Sequence, residues 1–136
     1  MNPRREFDLP EEETEFLGTS FPEWEAVKEA SKWILLPNFR IQEGYTVDNA
    51  IAAIEIPTNY PMARLDMVYF YPDIKRKDGL IIRQTETSMN IDGKNFQRWS
   101  RHYPTDGPNK WDPMNDSIIT HVMAIEDWLA REFKIR

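Results

Sequence analysis

The sequence of 136 residues predicts an α+β fold, with an N-terminal helix, an antiparallel β-meander and a C-terminal amphipathic helix packed on the sheet. Three observations predict it. A carboxylate-led run after Pro10 reads as a helix start, and a succession of short β-branched and aromatic runs follows from Trp33 to Ser100. An apolar stripe at helical spacing closes the chain. With 40% hydrophobic and 29% charged residues, the length suits one domain over 1–136, an acidic helical front at 1–30 and a C-terminal helix at 115–135.

Taken in order, residues 10–30 read as helical. Pro10 sits at a first turn and Glu11, Glu12 and Glu13 suit the positive end of a helix dipole. A second start at Ser20 to Glu23 leads into Trp24, Val27, Ala30 and Trp33 or Ile34 at helical spacing. The pattern then changes. Trp33–Leu36 ends at Pro37-Asn38, Ala50–Pro57 follows a turn-like stretch from Gly44 to Asn49, and Arg64–Tyr71 is rich in residues that fit a pleated surface. Leu80–Thr87 alternates in its second half and is expected to pair with Asn95–Ser100 across a turn at Asp92-Gly93. The last element has Asn115 or Asp116 as its cap and a stripe of Ile118, Ile119, Val122, Met123, Ile125, Trp128, Leu129 and Phe133.

Composition removes several functions. There is no cysteine, so disulfides, thiolate metal sites and thioester carriers are excluded. His102 and His121 are the two histidines, which makes zinc hydrolysis a poor expectation, and no cofactor or metal is expected. No run approaches the roughly 20 apolar residues of a membrane span. Nothing apolar follows Arg4 and Arg5, so no secretory signal is read and a cytoplasmic protein is expected. Residues 1–30 hold three basic and nine acidic side chains and therefore the whole net charge of −6. That front repels nucleic acid and attracts a basic protein surface, unless it is simply a solvated helical face. Trp24, Trp33, Trp99, Trp111 and Trp128 are spaced as core anchors, with no basic residues interleaved for stacking single strands. Lys75-Arg76-Lys77 reads as a solvated loop that could dock an acidic surface.

The segment Ile54-Glu-Ile-Pro-Thr-Asn-Tyr-Pro-Met-Ala-Arg-Leu-Asp-Met-Val-Tyr-Phe70 resembles the ubiquitin-conjugating enzyme fold, in which a strand ending in proline precedes a Tyr-Pro turn and another strand. Trp111-Asp-Pro ahead of an amphipathic helix is similar to the segment after the active site of those enzymes. Closer still is the resemblance to a bacterial branch of that superfamily, carried by Leu9-Pro10-Glu11-Glu12, Phe16-Leu17-Gly18, Trp33–Leu36, Gly44-Tyr45, Asn59-Tyr60-Pro61 and Leu65-Asp66-Met67. Phe96-Gln97-Arg98-Trp99-Ser100-Arg101-His102, Trp111 and Thr120-His121 complete it. The resemblance implies a ubiquitin-like protein, a ThiF-type activating enzyme and a protein amine as partners, with JAB-type isopeptidase genes nearby; charge and hydropathy add the expectation of no nucleic-acid or membrane partner. An antiphage setting comes with the resemblance alone. Two features depart from the eukaryotic pattern: Tyr71-Pro72-Asp73 stands where a His-Pro-Asn turn would be, and the acceptor cysteine is missing.

Ser100, eleven positions before Trp111, is nearest to where the carrier nucleophile should sit. In extended chain, residues i and i+2 share a face, so His102 can take the serine proton while Arg101 points away to an acidic partner or the backbone. The catalytic pair is thus Ser100 and His102, supported by Arg101, Trp111 and His121, with His121 expected to bond Trp111 or the loop. General-base assistance supplies ~10²–10⁴-fold, and one oxyanion donor about another 10²–10³-fold. Asn90, Asn95 and Asn115 are the candidates for that donor. Asp112 and Asp116 could orient an incoming lysine or serve as caps. Against the carrier stands a non-catalytic scaffold of the same fold, in which Ser100 is a turn hydroxyl and His102 orients the loop.

Overall fold

Pro10 opens α1, Glu11–Ser20, and its carbonyl accepts the amides of Glu13 (3.1 Å) and Thr14 (3.0 Å). The computed structural model describes residues 2–134, so residue 135 of the expected C-terminal helix lies outside the described residues. The helical reading of 10–30 holds only to Ser20. Glu25–Lys28 is a strand, β1. Its helical spacing misleads because Ala26 and Val27 are both buried, in cores on opposite sides of one sheet. A strand covered on both faces shows no two-residue alternation.

Strand β2, Lys32–Arg40, passes through Pro37-Asn38 instead of ending there. A register shift between Leu36 and Phe39 absorbs the proline, with Asn38 at φ 61°. β3 spans Asn49–Ile56, and β4 keeps only Val68–Tyr71 of the expected Arg64–Tyr71 run. Leu80–Thr87 is not a strand. Asp78 accepts the Leu80 amide (3.0 Å), Thr85 Oγ1 donates to the Ile82 carbonyl (2.8 Å) and Gln84 takes φ 61°, so local turns interrupt the expected ladder and leave the Thr87 and Gln84 carbonyls to accept the amides of Arg98 (2.9 Å) and Ser100 (3.0 Å). The hairpin is instead β5, Ser88–Ile91, with β6, Lys94–Trp99. Its turn is the expected Asp92-Gly93, with both residues at positive φ (52° and 75°), as a two-residue hairpin turn requires.

All neighbouring strands are antiparallel, in the order β1-β2-β3-β4-β6-β5. Along β2 the side chains alternate between two cores: Ile34 and Leu36 join the helix side, Trp33 and Leu35 the other. The second core draws Val27, Ala53, Tyr69, Ile91 and Phe96 from the remaining strands, so the sheet curls over it. At one corner Arg4 closes the curl, bonding Glu25 beside it (2.7 Å) and Asp92 in the hairpin turn (2.7 Å).

On the helix side lies α2, Ile118–Arg131, which buries Ile118, Val122, Ile125 and Leu129. Each such side chain contributes roughly 1.5–3 kcal/mol of burial. Met123, placed in the stripe by spacing, is exposed. The cap is Ser117, not Asn115 or Asp116: Ser117 Oγ accepts the Ile119 amide (3.1 Å) and Thr120 Oγ1 accepts the Ser117 amide (3.0 Å). The buried Glu13 carboxylate accepts the Tyr60 hydroxyl and the Ile118 amide, which ties α1 to the positive end of α2. Farther along, the Tyr45 hydroxyl donates to the Leu129 carbonyl (2.6 Å), and Phe133 covers Gly44, where a Cβ would come within 2.6 Å of its ring. No helix among the described residues is long and apolar enough to cross a membrane.

Candidate active site

Trp99 ends β6 fully buried, and the chain leaves the sheet with Ser100 at its surface end. Two backbone bonds set the path of this exit. The Ser100 amide donates to the Gln84 carbonyl (3.0 Å) on one side, and the Arg101 carbonyl accepts the Met67 amide (3.0 Å) on the other. Side chains two apart then meet, as extended geometry requires: Ser100 Oγ lies 3.1 Å from His102 Nε2.

The opposite ring nitrogen of His102, Nδ1, lies 2.9 and 3.0 Å from the two carboxylate oxygens of Asp66. A carboxylate only accepts, so Nδ1 carries a hydrogen, and in the neutral ring Nε2 then turns its lone pair to Ser100, whose hydroxyl donates. Nucleophile, base and orienting carboxylate thus form one hydrogen-bonded chain of the kind that activates serine. Asp66 was absent from the candidates read by spacing. It arrives through the pairing of β4 with β6, where Val68 faces Trp99 and the residues before one strand lie beside those after the other.

Met67 holds Asp66 in place. Its φ of 55° is a left-handed conformation that costs an ordinary side chain roughly 1–2 kcal/mol. Both of its backbone groups are tied: the amide to Arg101, and the carbonyl to His121 Nε2 at 2.9 Å. His121 is fully buried, and its Nδ1 accepts the Tyr103 hydroxyl at 2.6 Å. Donation at Nε2 and acceptance at Nδ1 define a neutral imidazole. Burial agrees, pushing its pKa down to about 4. Burial also raises the Tyr103 hydroxyl well above its ordinary value, so it remains a donor.

The expected supporting residues divide. His121 bonds the loop carbonyl of Met67 and not Trp111, whose indole donates to the Pro61 carbonyl (2.8 Å) and packs edge-on against Tyr103. Arg101 points away from the pair as expected. It stacks on Trp99, bonds the carbonyls of Arg83 (3.1 Å) and Ser100 (3.3 Å), and lies 3.6 Å from the buried Glu132. Its acidic partner is therefore internal, and burial lowers its pKa.

Over residues 9–132 the chain matches the family model described as Prokaryotic E2 family E. The chain belongs to that family. No curated protein and no solved structure matches it. Membership in a prokaryotic E2 family points to an E2-like carrier role in ubiquitin-like conjugation, a transferase activity whose partners are a ubiquitin-like protein and its activating enzyme.

Within this E2-family chain, other sequence candidates serve the scaffold. Asn90 and Asn95 face each other across the hairpin, and Asn95 is five residues back from Ser100, about 16 Å along a strand. Asn115 donates to Asp112 Oδ2 (2.7 Å). Asp112 and Asp116 hold the loop before α2, Asp116 accepting the Asp112 amide (2.7 Å) and Asp112 the Met114 amide (3.0 Å). In the basic cluster, Lys75 and Lys77 are exposed but Arg76 is buried, paired with Asp78 (2.5 Å) and Glu132 (3.5 Å). The cation on the rim of the site is Arg64, 4.0 Å from Asp66 Oδ2. A recess of about 510 Å³ opens beside His102 toward α2, between Tyr103, Lys110, Asp116, Asp127 and Trp128.

Proposed function

We propose that this chain is a cysteine-free E2 carrier that accepts an activated ubiquitin-like protein on Ser100 as an oxyester and transfers it to an amine. The observation that carries this reading is the Ser100–His102–Asp66 chain. A binding scaffold needs no oriented base beside a serine, whereas a hydroxyl carrier does, because serine is weakly nucleophilic alone. In the loading step Ser100 Oγ bonds to the carbonyl carbon of the activated carboxyl terminus held by a ThiF-type activating enzyme, and the bond from that carbon to its activating group breaks, the group departing with the electron pair. The hydroxyl proton passes to His102 Nε2, and Asp66 stabilises the imidazolium that forms. In the transfer step an acceptor amine attacks the ester carbonyl, His102 removes the amine proton, and Ser100 leaves with it. Such a carrier works in the cytoplasm.

The test mixes the chain with a ubiquitin-like protein, its activating enzyme and ATP. The expected adduct survives thiol reductant, is cleaved by hydroxylamine and is lost in Ser100→Ala. Ser100→Cys converts it to a reductant-labile thioester. An unmodified chain that still binds the activating enzyme supports the scaffold instead. An adduct kept in Ser100→Ala but lost in Ser117→Ala overturns the assignment of Ser100.

A further inference from the structure

We infer that the same three residues make this chain a hydrolase of oxyesters, so that an acyl group on Ser100 is released to water as well as to an amine. The inference rests on Ser100 being the acyl-bearing residue and adds an activity beyond transfer.

Three features of the site carry it. The base is committed in direction, because Asp66 occupies Nδ1 and leaves Nε2 as the one proton acceptor facing Ser100. The site is open: the His102 side chain is 50% exposed and Asp66 27% exposed, so water reaches the carbonyl of an acyl-serine without any segment moving. Finally, acylation itself frees the base. Once Oγ is esterified it has no hydrogen to donate, and Nε2 turns to the next donor that enters. Water enters ready to react, whereas a lysine amine is mostly protonated at neutral pH and must first lose a proton.

With p-nitrophenyl acetate the chemistry closes as follows. Ser100 Oγ forms a bond to the acetyl carbon as its proton moves to His102 Nε2. The bond to the phenol oxygen breaks, and p-nitrophenol leaves with that proton. Water then attacks the acetyl-serine carbonyl and gives one proton to Nε2. The Oγ–carbon bond breaks, Oγ takes the proton back, and acetic acid is released. This ester suits the acylation step because p-nitrophenol departs readily, so that release of acetyl-Ser100 to water is the step the site must assist.

The experiment follows p-nitrophenol release by the chain alone, with mass spectrometry of the peptide holding Ser100. Expected are repeated turnovers, an acetyl group trapped on Ser100 by acid quench, and loss of turnover in Ser100→Ala. His102→Ala slows it ~10²–10⁴-fold, while Ser88→Ala, at an exposed serine of β5, retains the full rate. Thermal melts of all three variants check folding. One equivalent of stable acetyl-Ser100 without turnover overturns hydrolysis and leaves the carrier reading intact. No acetylation, in a chain that the activating enzyme still loads on Ser100, overturns it as well. Turnover without loading by the activating enzyme supports the hydrolase and sinks the carrier.

Discussion

His102 and His121 approach the same two-residue step of chain from opposite sides, and they differ in almost every other respect. His102 takes the Asp66 side chain, stands half in solvent and turns a free lone pair to a hydroxyl. His121 takes the Met67 carbonyl, is fully buried and has both nitrogens engaged. The first is placed to move a proton, and the second is prevented from gaining one. What separates them is the partner at the second nitrogen: a carboxylate charge in one case, a neutral carbonyl and a phenol in the other.

The comparison breaks most visibly at His102. His102→Ala should slow adduct formation on Ser100 by ~10²–10⁴-fold in a gel-shift time course, while its unfolding free energy from urea titration stays within about 0.5 kcal/mol of the parent, as for exposed positions generally. Asp66→Asn should lose part of that factor, because an amide no longer selects the tautomer that presents Nε2. His121→Ala should do the reverse. It leaves the part-buried Tyr103 hydroxyl and Met67 carbonyl unpartnered and opens a cavity where the fully buried ring stood, at a cost of about 3 kcal/mol in urea unfolding, with adduct formation slowed less than in His102→Ala.

Acid sharpens the contrast further. The ordinary histidine value is near 6.5, and His121 in the folded chain is at about 4. Between these the unfolded chain binds a proton that the folded chain refuses, so stability from this group is complete above about pH 6.5 and falls as pH drops toward 4. The loss amounts to about 3 kcal/mol, and His121→Ala should flatten that part of the stability profile. The smallest effect belongs to Met67→Gly. Relief of the left-handed backbone and loss of a half-buried side chain oppose each other, leaving a net change within about 1 kcal/mol in urea unfolding.

Half of this site was legible in the sequence. Ser100 and His102 stand two apart in an extended run, and that spacing alone brings their side chains together. Asp66 is 36 residues from His102, and what joins them is the pairing of β4 with β6. No local period encodes a strand pairing, so Leu65-Asp66-Met67 showed itself only as a family motif. The fold divides in the same way. α2 has one buried stripe and was readable from spacing, whereas β1 is covered on both faces and imitated a helix. Leu80–Thr87 has the composition of a strand but is diverted by side chains that bond their own backbone.

The N-terminal segment that closes the curl of the sheet also covers one of its edges. Along the outer side of β1, the Ala26 amide donates to the Arg4 carbonyl (2.9 Å) and the Ala26 carbonyl accepts the Glu6 amide (2.8 Å), while the Lys28 amide is taken by the Glu6 carboxylate (2.7 Å). At the other margin β5 is only four residues long. A strand edge of either kind gives little template for backbone pairing with a foreign strand. Aggregation by sheet extension is thereby discouraged.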